Sequence, residues 1–268
     1  MRHLSHFLTV SIFILFLSFT ASAQDFRKTY QLASGSQIRI GSISGDIKLV
    51  GYDGAAVEVV GYKEGRDAAL VEIEESSSSN SLDIKPRYPR NCNCSASVRF
   101  EVKVPKNQKF NFESIGTASG DIEIKNVSGN LKVKAASGDL NIKDVNGSVE
   151  ASTASGDVTV TGIAGSVSAK TASGDVNAEL DRVEATEKME FSSVSGDVNV
   201  TIPSSTGADV DISTLSGEIK TDFGIKVDES EHGSSSTARG RIGNGAIRLV
   251  LKSVSGDVNL KSGSLRAN

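Results

Sequence analysis

The chain has 268 residues, with 29 Lys and Arg against 33 Asp and Glu and a formal net charge of −4. That acidic balance argues against nucleic acid as a partner. There is no tryptophan, and four of the ten phenylalanines fall within the first 23 residues. A conventional β-sandwich core built on large aromatic rings is therefore a poor fit, whereas a narrow interior filled by small β-branched side chains needs few of them.

Taken in chain order, the first feature is Arg2 followed by an apolar run from Phe7 to Phe19 and then Ala21-Ser22-Ala23. This is the pattern of a secretory signal peptide over residues 1–23, too short to span a bilayer comfortably and ending in a small-residue cleavage site. Its removal takes away one basic residue and no acidic one, leaving a net charge of −5 and a mature chain from Gln24 with no membrane span. The expected location is the periplasm, the cell surface or the extracellular space. No cysteine follows Ala23, so lipid acylation is not indicated.

Residues 24–115 read as an irregular, partly antiparallel β section. It holds an early Ser44-Gly45-Asp46-Ile47-Lys48-Leu49 hexad and strand-like alternation over Val57–Tyr62, Val71–Glu74, Leu82–Lys85 and Val98–Val104. Ser76–Ser81 reads as a polar turn. Residues 116–180 are regular: glycines stand at 120, 129, 138, 147, 156, 165 and 174, an unbroken spacing of nine. Ser-Gly-Asp recurs every 18 residues at Asp121, Asp139, Asp157 and Asp175, so the repeat is 18 residues with two similar halves.

Aligned at 18, the chain forms apolar columns: Ile122, Leu140, Val158 and Val176, then Ile124, Ile142, Val160 and Ala178, separated by polar positions. That period of two is a strand with one buried face, and it excludes helix. The fold class is thus all-β, a parallel β-solenoid or β-helix with two short strands per 18-residue rung. Residues 181–268 carry less regular copies at Ser195-Gly196-Asp197, Ser216-Gly217-Glu218 and Ser255-Gly256-Asp257, with Asp228–Arg241 read as a loop. Residues 24–268 are expected to form one continuous domain whose last rung, near Ser255–Lys261, presents an open strand edge suited to self-association unless the tail covers it.

The repeated S-G-D-[VI]-x-[VIL] hexads, Phe100-Glu101-Val102-Lys103-Val104-Pro105 leading into the array, and Ile242-Gly243-Asn244-Gly245 before the last hexad resemble the DUF4097 family of adhesin-like proteins. The resemblance covers most of the mature chain. It implies a β-solenoid of the cell envelope, with a link in some relatives to envelope stress responses, and brings no catalytic residues with it.

Two residue groups invite a chemical reading. The aspartates of the Ser-Gly-Asp corners should stack in one column, where like charges about 5 Å apart repel by roughly 1 kcal/mol even in water. A structural role answers this if each carboxylate accepts amide hydrogen bonds in its own turn, with Gly supplying a left-handed conformation. The alternative is a Ca²⁺ ladder with Asp121, Asp139, Asp157 and Asp175 as ligands. The halves that place Asn130, Ser148 and Ser166 at the equivalent position depart from the calcium-binding nonapeptide pattern. The second group is Cys92-Asn93-Cys94. A bridge inside C-x-C closes a very small ring, so free thiols, an intermolecular bridge and a redox-labile bridge all stay open. A metal site there would need further ligands, and the only mature histidine is His232.

No nucleophile elbow or Ser-His pairing is present, so no catalytic residue is assigned and the protein is expected not to be an enzyme. The expected function is an exported adhesin-like binding or structural protein, contacting an envelope protein, a glycan or another copy of itself. The alternatives are an envelope-stress regulatory partner and a carbohydrate-active β-helix enzyme.

Overall fold

Alternating apolar and polar positions separated by glycine corners become short strands stacked in register, as a computed structural model of residues 26–180, 188–230 and 235–263 shows. The expected signal peptide and His232 lie outside the described residues. In chain order the strands are β1 (Phe26–Tyr30), β2 (Gln37–Ser44), β3 (Ile47–Tyr52), β4 (Val57–Glu64), β5 (Glu72–Ser77), β6 (Ser81–Arg87), β7 (Ser97–Pro105) and β8 (Lys109–Ser119). The long β9 (Ile122–Ser137) bends from one face to the other and is followed by β10 (Leu140–Asn146), β11 (Val149–Ser155), β12 (Val158–Ile163), β13 (Val167–Ser173) and β14 (Val176–Glu179). Then come β15 (Met189–Ser195), β16 (Val198–Pro203), β17 (Ala208–Ser216), β18 (Ile219–Thr221), β19 (Val227–Glu229), β20 (Ser236–Ile242), β21 (Ile247–Ser255) and β22 (Val258–Gly263).

The strands line two faces of a flattened coil. On one, parallel pairing runs β7, β3, β9, β10, β12, β14, β16, β22, β18. On the other it runs β6, β2, β8, β9, β11, β13, β15, β21, β17. Through the regular stretch the register follows the repeat of 18: Ile122 pairs with Leu140, Leu140 with Val158 and Val158 with Val176. These columns are buried, which is why parallel strands hold a single register here: a one-residue slip would turn every Val and Ile outward.

Both ends of the coil change to antiparallel pairing. At the start, β4 lies on β7 and β1 on β4, while β5 lies on β6. At the far end, β20 lies on β17 and β19 on β20. Within the stretch 228–241 expected to be a loop, residues 228–229 and 236–241 are therefore strand. In the second of these strands the inward positions before Ile242 are Ser236, Ala238 and Gly240, too small or polar to announce a strand, and Arg239 and Arg241 bind Asp211 and Asp209 across the pair.

The spatial order also overturns the expectation for Ser255–Lys261. This last hexad in sequence is not the last in space, because β21 and β22 insert between the β15/β16 rung and the β17/β18 rung. Ser255 pairs with both Ser195 and Ser216, and Val258 with both Val198 and Ile219. Among the aromatic residues of the core, Phe112 stands just before the regular array and Phe191 just after it, where Phe191 pairs with the small Ala169.

Successive rungs approach so closely at the corners that only glycine fits. A Cβ built on Gly156, whose φ is +131°, would stand 2.3 Å from the carbonyl oxygen of Gly138. Gly156→Ala is therefore expected to destabilise the fold by about 2–4 kcal/mol, from backbone strain together with the clash. Gly224→Ala, which meets no atom within 4 Å, should change stability by less than about 0.5 kcal/mol. Parallel urea titrations of the two variants check the pair.

Candidate functional site

The Ser-Gly-Asp corners form one continuous edge along the coil, in the spatial order Asp46, Asp121, Asp139, Asp157, Asp175, Asp197, Asp257 and Glu218. The structure brings all four sequence-predicted aspartates together in this column and adds the irregular copies to it. Each aspartate accepts a hydrogen bond on Oδ1 from the backbone N–H of the equivalent residue in the next rung. The distances run 2.9, 2.9, 2.8, 2.7, 2.8, 2.8 and 2.8 Å from Asp46 to Glu218. The acceptors thus serve the neighbouring rung, not their own turn as the sequence suggested. A corner amide that cannot reach a sheet carbonyl is satisfied this way, and the bond to a carboxylate is a strong one.

The last position breaks the pattern in a telling way. Glu218 donates its N–H to Asp257 but lies on the terminal Ser-Gly-Asp-like corner, and its side chain instead pairs with Lys220 at 2.9 Å. An aspartate is needed only where a following rung offers an amide.

A second ladder runs just inside the first. The residue two before the corner serine points inward, and in six rungs its hydroxyl donates to the glycine carbonyl of the preceding rung, while Ser42 at the first corner donates to the Val98 carbonyl. Thr117 donates to Gly45, Thr153 to Gly138, Thr171 to Gly156, Ser193 to Gly174, Ser253 to Gly196 and Thr214 to Gly256, at 2.8–3.2 Å. These hydroxyls are buried. Sequence reading missed them, although T-x-S-G-D at Thr153 and Thr171 and S-x-S-G-D at Ser193 and Ser253 carried the signal. Ala135 interrupts the column opposite Gly120.

Between hydroxyl and serine stands one outward residue per rung: Ile43, Ala118, Ala136, Ala154, Ala172, Val194, Val254 and Leu215 in spatial order, all exposed. The serines that follow them are paired rung to rung, which places this column in register. It is an apolar ridge about 34 Å long at roughly 4.8 Å per rung. Among the described residues, four of the five exposed large hydrophobic side chains belong to it: Ile43, Val194, Leu215 and Val254, between 45% and 61% exposed. The aspartate column flanks the ridge on one side. On the other, Lys134, Lys170 and Lys252 alternate with Ser152, Ser192 and Ser213.

An open groove of about 620 Å³ follows the opposite corner, lined by Asn130, Ser148 and Ser166 with Lys132 and Glu150. Hydrogen bonds from Lys125 and Lys48 hold the Glu123 carboxyl below the usual carboxylate range, and those from Lys170 and Lys188 do the same for Glu190. These are paired surface charges. Among the described residues no three or more His, Cys, Asp or Glu side chains gather as a metal centre. Cys92 and Cys94 are joined to each other in the loop between β6 and β7.

A family model described as Toastrack DUF4097 matches residues 34–261. The chain belongs to this family. Among solved structures the Toastrack chain is similar to a protein from Bacteroides fragilis provisionally called an adhesin, with 15% identity, a TM-score of 0.50 and coverage of 88% of this chain and 96% of that one. That likeness bears out the fold. A protein from Clostridium sporogenes provisionally assigned to cell adhesion shares 13% identity at a TM-score of 0.36, covering 89% of this chain and 99% of that one. No curated protein matches the chain.

Two substitutions test the ladders. Asp157→Ala removes the acceptor for the Asp175 amide and should cost about 1–3 kcal/mol, as expected for a lost acceptor with its amide left unpaired. Asp157→Asn keeps a carbonyl acceptor and relieves like-charge repulsion, so it should stay within about 0.5 kcal/mol of the parent. Ala135→Thr should restore the missing hydroxyl and raise stability by about 1 kcal/mol. Thermal unfolding of the three variants reads all of these.

Proposed function

We propose that this protein is an exported, non-catalytic binding protein of the cell envelope that engages a protein partner along the Ser-Gly-Asp edge. The observation that carries the reading is the apolar ridge. The protein leaves Ile43, Val194, Val254 and Leu215 in solvent, although every flanking column is polar or charged, and a contiguous exposed apolar surface marks a contact site. Its aliphatic side chains suit a protein surface better than a sugar ring, which stacks on aromatic faces.

The chemistry of the rest agrees with binding, not turnover. The carboxylates of the edge are engaged in holding the rungs together, and on the faces hydrogen bonds from neighbouring lysines hold the Glu123 and Glu190 carboxyls below the usual carboxylate range, which is the opposite of a poised acid. The adhesin names of the structural relatives point the same way for this chain. Export rests on the leader pattern Arg2, Phe7–Phe19 and Ala21-Ser22-Ala23.

The test is site-specific photo-crosslinking in cells producing the full chain. A crosslinker at Val194 or Leu215 should capture an envelope protein, while one at Lys132 on the face should not. Val194→Asp combined with Leu215→Asp should lower that capture at least ~10-fold, equal to a loss of about 1.4 kcal/mol, without altering the β-rich circular dichroism spectrum. Equal capture from ridge and face would sink the reading. Amino-terminal sequencing of the exported form should begin at Gln24.

A further inference from the structure

The Cys92–Cys94 bridge has no structural work that the loop around it does not already do. It spans a sequence separation of 2, and a bridge across so short a loop removes little entropy from the unfolded chain. The loop is fixed by other bonds on both sides. The Cys92 amide donates to the Pro89 carbonyl at 3.3 Å. The Asp67 carboxylate accepts the Ser95 amide at 2.8 Å, while the Asp67 amide donates to the Ser95 carbonyl at 3.2 Å.

Its placement is that of a reactive group. Cys92 is exposed and Cys94 half-buried. Both sulfur-bearing residues line a hollow of about 590 Å³ with Tyr88, Ala96, Glu64 and the exposed Ile43. An extended polypeptide could lay an apolar side chain on Ile43, Tyr88 and Ala96 while a thiol reaches the bridge. Buried structural disulfides are shielded from such attack, whereas exposed ones are the labile class.

We infer that Cys92–Cys94 is a thiol–disulfide exchange site that accepts two electrons from a dithiol polypeptide. A thiolate of the substrate attacks Sγ of Cys92, the more exposed of the two residues, forming a substrate–Cys92 mixed disulfide. The Cys92–Cys94 bond breaks and its electron pair leaves on Cys94 Sγ. The second substrate thiolate then attacks the substrate sulfur of the mixed disulfide and expels Cys92 as a thiolate. The substrate is oxidised to a disulfide, the Cys92/Cys94 pair is reduced to the dithiol, and the two protons lost by the substrate thiols are matched by the two taken up when the protein thiolates protonate. This site does not depend on the identity of the ridge partner, and its test does not involve that partner.

The experiment uses the oxidised full chain in native buffer with a reduced synthetic peptide carrying two cysteines, followed by acid quench, thiol alkylation and mass spectrometry. The expected result is one peptide disulfide formed per Cys92/Cys94 pair reduced, with no oxidation above background by the double variant Cys92→Ser, Cys94→Ser. Cys94→Ser, which leaves Cys92 as a lone thiol, should react with a small aromatic disulfide at least ~10-fold faster than Cys92→Ser, since exchange follows access to the sulfur. Reduced and oxidised forms should melt within about 5 °C of each other, as a bridge over so short a loop stabilises little. Reduction only after denaturation, no peptide oxidation in native buffer, or a melting point that falls by more than about 10 °C on reduction would each overturn the proposal and make the bridge a structural staple.

Discussion

The close approach of backbone to backbone at the Ser-Gly-Asp corner governs the rest of this structure. Two chains passing about 4.8 Å apart around a tight bend cannot keep the regular sheet pairing, because the bend turns one amide and one carbonyl per rung away from their usual partners. The protein answers with three residues in fixed positions. Glycine leaves room for the neighbouring carbonyl, aspartate accepts the stray amide of the next rung, and a buried Thr or Ser two residues before the corner serine donates to the stray glycine carbonyl. The motif is a hydrogen-bonding unit shared between rungs. It has meaning only when stacked, which explains why it recurs at this corner rung after rung and why the terminal corner can replace Asp with Glu.

That unit also shapes the surface. With the hydroxyl inside and the serine, glycine and aspartate committed to the bend, the residue between hydroxyl and serine is forced outward at every rung. Its side chain is free to vary, and it varies with position: alanine through the middle of the coil, Ile43 near one end, and Val194, Val254 and Leu215 near the other. Packing cannot be the reason for large apolar groups there, since they face solvent. The same geometry that stabilises the corner therefore presents a ruler of sites on which binding can be tuned one rung at a time.

Much of the architecture was legible because the repeat itself is a physical statement. Glycines every nine residues and Val, Ile or Leu every two within the halves leave few arrangements other than stacked parallel strands, and the register at Ile122, Leu140, Val158 and Val176 follows the alignment at 18. Two things were illegible for different reasons. The strand Ser236–Ile242 buries Ser, Ala and Gly, so it carries no apolar alternation to read. The spatial order of the last three rungs was hidden because Ser195-Gly196-Asp197, Ser216-Gly217-Glu218 and Ser255-Gly256-Asp257 offer nearly the same corner. Only the Glu at 218, which needs no amide to accept, distinguishes the terminal one. In the site, the aspartate column could be placed from the repeat, but its bonding partner could not: whether a carboxylate serves its own turn or the next depends on the pitch of the coil, which no single repeat contains. The apolar ridge was visible in the sequence as A-S-G-D and V-S-G-D, yet it reads as a surface only once those corners are stacked.

The insertion of β21 and β22 between two earlier rungs has a consequence for how the molecule is completed. A solenoid whose rungs stack in chain order can grow from one end as each repeat is added. Here the β17/β18 rung cannot dock on β15/β16, because the place between them belongs to residues 247–263. Its partners until then are β20 and, beyond that, β19, an antiparallel set that can form locally. The far end of the coil, including the ridge residues Val254 and Leu215, is thus assembled only when residues 247–263 are present, through contacts some 60 residues apart in sequence. Long-range pairing of this kind is slow. A chain that cannot finish folding before residues 247–263 are available remains open for longer.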